Sequence, residues 1–340
     1  MKIKDHQNLS EEFFTRLVEI SAGYMTSESF DKFIVILQSE VANHYFTRSS
    51  ESNLLRIISA MYDKHSFLTD SINYPHYIEI IVVISTNSDY LTDILVRNPE
   101  YFYWIVNPSN LESKLNFEEF EKSVNVSLGF YKTFSAKLNF FRTLKRKEIL
   151  RIGLKDILSL SSLEDTTEEL SILAKVITAE LFELCLEEIK SKHQIKNIQS
   201  SYCIIGLGKL GGNELNYSSD IDLIIFYDKD QTIKSKNYSE LLTEAIYLFI
   251  ECVSSITSSG FIFRVDFRLR PDGRNSPLCR SFREYLDYYE SRGEDWERQM
   301  LIKAGFIGGN LNLYNQFINY LSYFIFPASF SSSPTEQIKK

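Results

Sequence analysis

Hydrophobic residues recur at helical spacing along much of the first half of the chain, from about residue 9 to residue 193. Glycine and proline are scarce over this stretch, so the pattern predicts an all-helical region. Two Asn-Pro pairs, at residues 98–99 and 107–108, interrupt it, because a residue that precedes proline is pushed out of the helical conformation.

Two long helices are predicted after these breaks. The first carries apolar residues at Phe140, Leu144, Ile149 and Ile152. The second begins at Asp165, with Glu168 in the position of a capping box, and its apolar stripe consists of Leu173, Val176, Ile177, Leu181 and Leu184. Stripes of this kind face a core, so we interpret them as packing surfaces.

The hydrophobic period shortens near residue 200, where compact β-branched runs replace the helical pattern. Residues 202–206 and 221–228 are predicted strands joined by a glycine-rich turn, residues 238–254 a helix, and residues 261–269 a third strand. Helices return at residues 282–289 and 294–303. We therefore predict an α+β fold, in which a helical amino-terminal region accompanies a small mixed sheet with flanking helices.

This pattern divides the chain into three parts. Residues 1–195 are expected to form the helical region, residues 196–310 the sheet domain, and residues 311–340 a helical tail that starts a following linker. A Ser-rich stretch at 329–334 and the final residues TEQIKK offer no closing element, so we expect the natural protein to continue past Lys340.

Composition and charge narrow the classes of function. The 340 residues are 44% hydrophobic, which is enough for two domain cores. A net charge of -8 argues against a nucleic acid as the main partner, since such binding needs clustered Lys and Arg. The four cysteines are far apart, no signal peptide opens the chain, and the longest apolar run, near residues 80–84, is too short for a bilayer. We expect a cytoplasmic protein without a membrane contact.

Two aspartates mark the candidate chemistry. Asp220 and Asp222 alternate with Ile221 and Leu223, so on a strand both carboxylates face the same side. Two such charges repel each other, and a hard cation between them relieves the repulsion. Mg²⁺ is the natural candidate at this spacing, with Mn²⁺ as a substitute. The competing interpretation is an exposed turn that binds no metal.

The third predicted strand adds charge of both signs. Asp266 is again a single carboxylate between apolar neighbours. Three carboxylates on two adjacent strands can hold metal ions that polarise a phosphoryl group. Arg264, Arg268 and Arg270 alternate along the same strand. Arginine suits bidentate contact with phosphate, although a surface ion pair would explain each one equally.

Glycines at positions 206, 208, 211 and 212 fit the dinucleotide-binding pattern G-x-G-x-x-G literally. That fold requires a helix directly after the third glycine and an acidic residue about twenty positions further on. Here the turn instead leads through Ser218 and Ser219 into the aspartates and straight into a strand. We therefore interpret it as a turn whose backbone N–H groups approach phosphates.

Three linked stretches resemble the adenylyltransferases of glutamine synthetase, whose duplicated nucleotidyltransferase domains attach AMP to a tyrosine of that enzyme and remove it. The stretches are GLGKLGGNELNYSSDIDLIIFYD (206–228), RVDFRLRPDGRNSPL (264–278) and DYYESRGEDWERQMLIKA (287–304). The helical segments SDYLTDILVRNPEYF and FRTLKRKEILRIGLKD are also similar. The resemblance implies a nucleotidyltransferase-type sheet domain.

The resemblance also implies roles for single residues. Asp220, Asp222 and Asp266 would be the catalytic and metal-binding carboxylates. The implied nucleotide- and phosphate-binding residues are Gly211, Gly212, Ser219, Arg268, Arg270 and Lys303. Glu297 lies in the W-E-R segment of the family, and Trp296 is expected to be a packing anchor.

Two departures from the family pattern bear on substrate handling. Residues 273–277 are GRNSP where the family has a Gly-Asp-Ser-Gly-Pro-like turn, and Gly305 stands where arginine is common. The run NYSSDIDL resembles the amino-terminal copy of the duplicated domain. In the family that copy removes AMP with phosphate and releases ADP, whereas the carboxy-terminal copy adds AMP from ATP.

The resemblance implies glutamine synthetase, ATP or ADP, phosphate and a nitrogen-signalling regulatory protein as partners. Two rival functions remain open at this point. One is nucleotidyl transfer to a small molecule or an RNA end, and the other is nucleotide sensing without catalysis.

Overall fold

A computed structural model describes residues 9–257 and 260–327 of the protein. The chain forms two compact units. The first takes the described residues up to Lys114 together with Arg146–Thr166, and the second takes Leu115–Lys145 together with the described residues from Thr167 onward. The Ser-rich stretch 329–334 and the end of the predicted tail lie outside the described residues. The functional division at residue 195 stays a prediction.

The first unit is built from helices. Eight of them, in chain order, are α1 (Glu11–Ser21), α2 (Ser27–Val41), α3 (Arg48–Ala60), α4 (Lys64–Asn73), α5 (His76–Asn87), α6 (Asp89–Arg97), α7 (Glu100–Ile105) and α8 (Pro108–Leu111). The two Asn-Pro pairs break the helices as predicted, since α6 and α7 end just before them. The apolar run at residues 80–84 is buried in this unit. None of the described helices combines the length and the apolar character that crossing a membrane requires.

Three further helices are α9 (Phe117–Leu128), α10 (Phe134–Ile157) and α11 (Leu163–Lys192). Helices α10 and α11 confirm the two long helices that the sequence predicts, and each supplies residues to both units. The predicted start of α11 at Asp165 is wrong by two residues. Ser162 is the cap instead, because its hydroxyl accepts a hydrogen bond from the backbone N–H of Asp165 at 3.0 Å.

The second unit contains a mixed sheet, which confirms the α+β prediction. Its strands are β1 (Tyr202–Gly206), β2 (Ile221–Tyr227), β5 (Val265–Asp266), β6 (Cys279–Ser281) and β7 (Gly305–Gly309), and a separate hairpin joins β3 (Thr232–Ile233) to β4 (Lys236–Asn237). The order is β5-β2-β1-β7, with β6 also paired to β2. Strand β1 is antiparallel to β2 and β7, whereas β5 and β6 run parallel to β2. The helices of this unit after α11 are α12 (Gly208–Gly211), α13 (Tyr238–Ser254), α14 (Phe282–Arg292), α15 (Asp295–Ile302) and α16 (Leu311–Ile325).

The third strand is the main error of the sequence-based prediction. Only Val265 and Asp266 pair as a strand, instead of the predicted residues 261–269. Before them, the N–H groups of Ile262 and Phe263 donate to the carbonyl of Val253 at 2.9 and 3.1 Å. After them, the backbone N–H of Arg268 donates to the carboxylate of Asp266 at 2.7 Å. Backbone groups that are bonded in these directions are no longer available to a strand ladder.

Aromatic packing supports the sheet from one side. The ring of Phe226 stacks on Phe317 of α16 with centroids 4.8 Å apart, and it also contacts Tyr285 of α14. Every residue of β2 is buried except Asp222, which is half-buried. A packed core therefore holds β2 in place. Asp222 itself is not part of that core.

Candidate active site

Three carboxylates meet at the β5 edge of the sheet, and we refer to Asp220, Asp222 and Asp266 as the acidic edge. Asp222 of β2 lies directly opposite Asp266 of β5 in a parallel register. Asp220 precedes β2, and the next residue, Ile221, donates its N–H to the carbonyl of Arg264 at 2.9 Å. The structure thus brings together the three aspartates that the sequence singles out.

The carboxylates interact electrostatically. Burial, and next the negative charges of Asp266 and Asp220, raise the pKa of Asp222 to about 6, while the positive charge of Arg268 opposes this rise. The pKa of Asp266 is lowered instead, chiefly by its hydrogen bond from Arg268. Asp222 is therefore the carboxylate whose negative charge the surroundings compensate least, and a bound cation would relieve it.

Two exposed arginines bind the other two carboxylates. Arg264 donates from Nε to Oδ1 of Asp220 at 2.5 Å and from Nη2 to the carbonyl of Ser218 at 2.6 Å. Arg268 donates from Nε to Oδ2 of Asp266 at 2.5 Å, in addition to its backbone hydrogen bond. More than half of each arginine side chain is exposed, 61% and 58%. The ion pair of Arg264 is exposed on both partners and is therefore weak, whereas Arg268 binds a carboxylate that is only 13% exposed.

Arg270, a predicted phosphate ligand, lies in a different environment. Its side chain is buried, and its guanidinium donates to the carbonyls of Phe267, Ser276, Pro277 and Arg274 at 2.7, 2.8, 3.0 and 2.9 Å. These contacts fold the loop of residues 270–277 around the arginine. Its donors are thus directed to backbone carbonyls, and phosphate binding by Arg270 stays a prediction.

The glycine turn packs against the acidic edge and against β7. Gly208 has a φ of +54°, and a Cβ built there would lie 3.1 Å from Oδ2 of Asp222. A Cβ on Gly211 would lie 1.9 Å from the carbonyl oxygen of Lys303, and one on Gly305 would lie 2.6 Å from that of Gly211. Close backbone crossing explains the glycine at 211, and it also explains the glycine at 305 that departs from the family pattern.

The remaining predicted ligands surround this turn. A Cβ on Gly212 would lie 3.1 Å from the flexible side chain of Lys303 and 3.4 Å from the carbonyl oxygen of Gly208, which is an ordinary contact distance. Ser219 donates its hydroxyl to Oδ1 of Asn216 at 2.6 Å. Lys303 forms an ion pair with Glu214, and both side chains are about half exposed. The nucleotide-binding roles of Gly211, Gly212, Ser219 and Lys303 stay predictions.

Comparison with known proteins gives the family. The model of the family described as glutamate-ammonia ligase adenylyltransferase matches residues 78–320. The chain belongs to this family.

Its curated relatives are considerably longer. One from Shewanella woodyi, named bifunctional glutamine synthetase adenylyltransferase/adenylyl-removing enzyme, is 30% identical over 265 residues, which are 74% of this chain and 27% of the relative. One of the same name from Thioalkalivibrio sulfidiphilus is 28% identical over 267 residues, 76% of this chain and 27% of the relative. The chain thus spans about a quarter of the length of the curated relatives it matches.

The oxygen ligands of the acidic edge suit a hard cation. In the structure, two of its three carboxylates are bound by arginine side chains. Among the described residues, no three His, Cys, Asp or Glu side chains are placed to hold one metal ion together. Arg264 forms an ion pair with Asp220, and Arg268 forms one with Asp266. Carboxylate oxygens are the ligands that Mg²⁺ prefers, and Mg²⁺ binding by these three aspartates stays a prediction.

Glu297 and Trp296 of the W-E-R segment support local structure. Glu297 is buried, accepts a hydrogen bond from the hydroxyl of Tyr288 at 3.0 Å, and caps α15 by accepting from the N–H of Glu294 at 2.9 Å. Burial raises its pKa. The Trp296 ring is 48% exposed and donates its N–H to Glu294 at 2.7 Å. Trp296 therefore fixes the start of α15 more than it fills a core.

Sequence reasoning missed Lys145 of α10. Its side chain is buried, with Nζ 5.0 Å from the ring centre of Phe261 and 4.9 Å from that of Phe263. Burial, and next the charge of Arg264, lower its pKa to about 8. The sequence contained a signal for this, because charged residues recur at helical spacing along α10. In the structure, five of these charged residues are buried: Arg142, Lys145, Glu148, Arg151 and Lys155.

Proposed function

We propose that this chain is a Mg²⁺-dependent nucleotidyltransferase that removes AMP from an adenylylated tyrosine of glutamine synthetase, with phosphate as acceptor and ADP as product. The observation that carries the proposal is the acidic edge, where three carboxylates lie beside two exposed arginines and two of these carboxylates are opposite each other on the paired strands β2 and β5. Family membership and the names of the relatives support the choice of substrate. The direction rests on the resemblance of NYSSDIDL to the amino-terminal copy.

The residues of the acidic edge would divide the work. Asp220, Asp222 and Asp266 would hold Mg²⁺, which when bound polarises the phosphoryl group. Arg268 is exposed beside Asp266 and would place its fork on a phosphate oxygen pair. The attacking phosphate and the AMP ester are both anions, so the reaction needs this positive charge at the point where they meet.

The bond changes of the proposed reaction balance without another reactant. An oxygen of the phosphate ion forms a bond to the phosphorus of the AMP–tyrosine ester. The bond between that phosphorus and the tyrosyl oxygen breaks, and the proton of the attacking phosphate ends on the tyrosyl oxygen. The products are ADP and unmodified tyrosine.

The helical region of residues 1–195 would present or recognise the protein substrate. A nitrogen-signalling regulatory protein is the proposed further partner. The first assignment comes from the apolar helical stripes, which leave the chemistry to residues 200–305, and the second comes from the resemblance to the family.

A product assay tests the activity and its direction together. The chain is incubated with adenylylated glutamine synthetase, Mg²⁺ and phosphate, and in parallel with unmodified glutamine synthetase, Mg²⁺ and ATP. We expect phosphate-dependent ADP in the first mixture and no pyrophosphate in the second. Pyrophosphate without ADP would show that this copy adds AMP, and neither product, despite Mg²⁺-dependent nucleotide binding, would favour a nucleotide sensor.

A further inference from the structure

Arg264 joins two parts of the acidic edge that are far apart in sequence. Its guanidinium spans Oδ1 of Asp220 and the carbonyl of Ser218, at 2.5 and 2.6 Å, across 44 and 46 residues of chain. We call these two contacts the Arg264 clamp. The clamp places a positive charge on the carboxylate that begins the D-x-D pair.

The Arg264 clamp is held by few interactions. The Arg264 side chain is 61% exposed and that of Asp220 is 48% exposed, so packing does not fix either of them. Arg268 differs, because it binds a carboxylate only two residues away through both its backbone and its side chain, and that carboxylate is 13% exposed. Of the two arginines, Arg264 is therefore the one that can leave its carboxylate most easily.

A second positive charge lies near Arg264. The charge of Arg264 contributes to the lowered pKa of Lys145, which is buried over two aromatic rings. Lys145 is fixed by its packing, whereas Arg264 can rotate into solvent. Lys145 and Arg264 repel each other. An anion bound to Arg264 offsets this repulsion, so Arg264 is expected to keep an anionic partner.

We propose that Arg264 is a positioning residue that occupies Asp220 in place of a metal ion and passes to a phosphate group when a metal–nucleotide complex arrives. The proposal rests on the proposed function, since it needs Asp220 to bind a cation there. A divalent cation and Arg264 compete for Oδ1 of Asp220, so the cation alone binds weakly. A nucleotide brings a new anion for the released guanidinium, and therefore metal and nucleotide each favour the binding of the other.

The test is a titration of Mn²⁺ into the whole chain, with free Mn²⁺ followed by electron paramagnetic resonance, in the absence and presence of ADP. Arg264→Gln removes the competing charge, so we expect Mn²⁺ alone to bind about five- to tenfold more tightly than to the native chain. The gain in Mn²⁺ affinity on adding ADP should shrink by a similar factor. Arg264→Lys keeps the charge without the fork and should give an intermediate result.

Two control variants separate this proposal from simpler effects. Arg283→Gln removes an exposed arginine at the start of α14 and makes the same change in net charge, so its Mn²⁺ affinity should equal that of the native chain. Asp222→Asn should abolish Mn²⁺ binding both in the native chain and in Arg264→Gln. Far-ultraviolet circular dichroism and urea unfolding check that each variant is folded.

Different outcomes overturn different statements. If Asp222→Asn abolishes Mn²⁺ binding but Arg264→Gln, Arg264→Lys and the native chain bind Mn²⁺ equally, the Arg264 proposal is wrong and the proposed function stands. An equal gain in Arg283→Gln would also overturn the Arg264 proposal, because the effect would then be one of net charge. If no variant shows Mn²⁺ binding that depends on Asp222, the metal site and the Arg264 proposal both fail.

Discussion

Two neighbouring regions of the second unit are stabilised in different ways. One is the acidic edge, and the other, which we call the scaffold, consists of the Arg270 loop and the backbone around Gly211 and Gly305. At the acidic edge, the exposed side chains of Arg264 and Arg268 form ion pairs with carboxylates. In the scaffold, buried Arg270 binds four backbone carbonyls, and the backbones around Gly211 and Gly305 cross too closely for a side chain. Arg268 thus binds a carboxylate of the acidic edge, whereas Arg270, two residues further on, stabilises a loop.

This difference shows why a motif does not assign roles by itself. The stretch R-V-D-F-R-L-R carries three arginines at alternate positions of the same register, and their burial and hydrogen-bond partners distinguish them. An arginine whose donors are satisfied by backbone carbonyls would have to break its loop to reach a ligand. An arginine that leaves an exposed carboxylate loses much less free energy of interaction. Substitutions in the scaffold should therefore cost stability, and substitutions at the edge should change binding.

The largest effect on stability is expected at the backbone crossing. Gly211→Ala places a Cβ 1.9 Å from the carbonyl oxygen of Lys303, a fixed backbone atom, and we expect a loss of roughly 4 kcal/mol of unfolding free energy. Gly212→Ala places a Cβ closest to the flexible Lys303 side chain, with the nearest backbone atom 3.4 Å away, and should cost less than about 1 kcal/mol. Urea unfolding of both variants, followed by Trp296 fluorescence in a Trp104→Phe background, reports on the second unit alone. Equal losses in the two variants would contradict the crossing.

A second comparison separates the arginines. Arg270→Lys keeps the charge but cannot reach four carbonyls, so we expect it to lower the unfolding free energy by about 3 kcal/mol. Arg268→Lys should change it by less than about 1 kcal/mol. The same Trp296 fluorescence measures both. If Arg268→Lys is the more destabilising variant, the division between edge and scaffold is wrong.

A smaller and pH-dependent effect is expected from Lys145. Its pKa of about 8 in the folded protein lies below the ordinary 10.5, so between these values the folded state binds fewer protons than the unfolded state. Its contribution to stability therefore rises with pH from 8 to 10.5, on the order of 2 kcal/mol, and is constant below pH 8. Lys145→Met should remove this rise.

The Lys145 prediction is measured as the difference in unfolding free energy between the native chain and Lys145→Met from pH 7 to 10.5. Lys122→Met, at an exposed position of α9, controls for the loss of one positive charge. Parallel curves for the native chain and Lys145→Met across this range would show that burial does not shift this group.

Much of the fold follows from local patterns. Strand β1 and helix α13 have the predicted bounds, and Asp222 lies on a strand next to the strand of Asp266, although Asp220 precedes its strand. Strand β7, with the sequence Gly-Phe-Ile-Gly-Gly, was missed because its glycines are typical of a turn. It becomes a strand only through pairing with β1, about a hundred residues earlier in the chain.

The site was less predictable than the fold. The sequence indicated which carboxylates come together, because each of them lies in or next to a predicted strand between apolar neighbours. It could not indicate that Arg264 binds Asp220 while Arg270 binds a loop, since these partners depend on how the chain turns after Asp266. Lys145 was missed for a similar reason, because helical periodicity in α10 was interpreted from apolar residues alone and the buried charges were overlooked.

The most direct test of the central claim is calorimetric titration of ADP into the whole chain with and without Mg²⁺, for the native protein and for Asp222→Asn. We predict Mg²⁺-dependent ADP binding to the native chain, weakened by more than about tenfold in Asp222→Asn. The variant should remain folded, since it loses a half-buried charge that its neighbours disfavour. Equal Mg²⁺-dependent affinity in the two proteins would show that the acidic edge is not the nucleotide site.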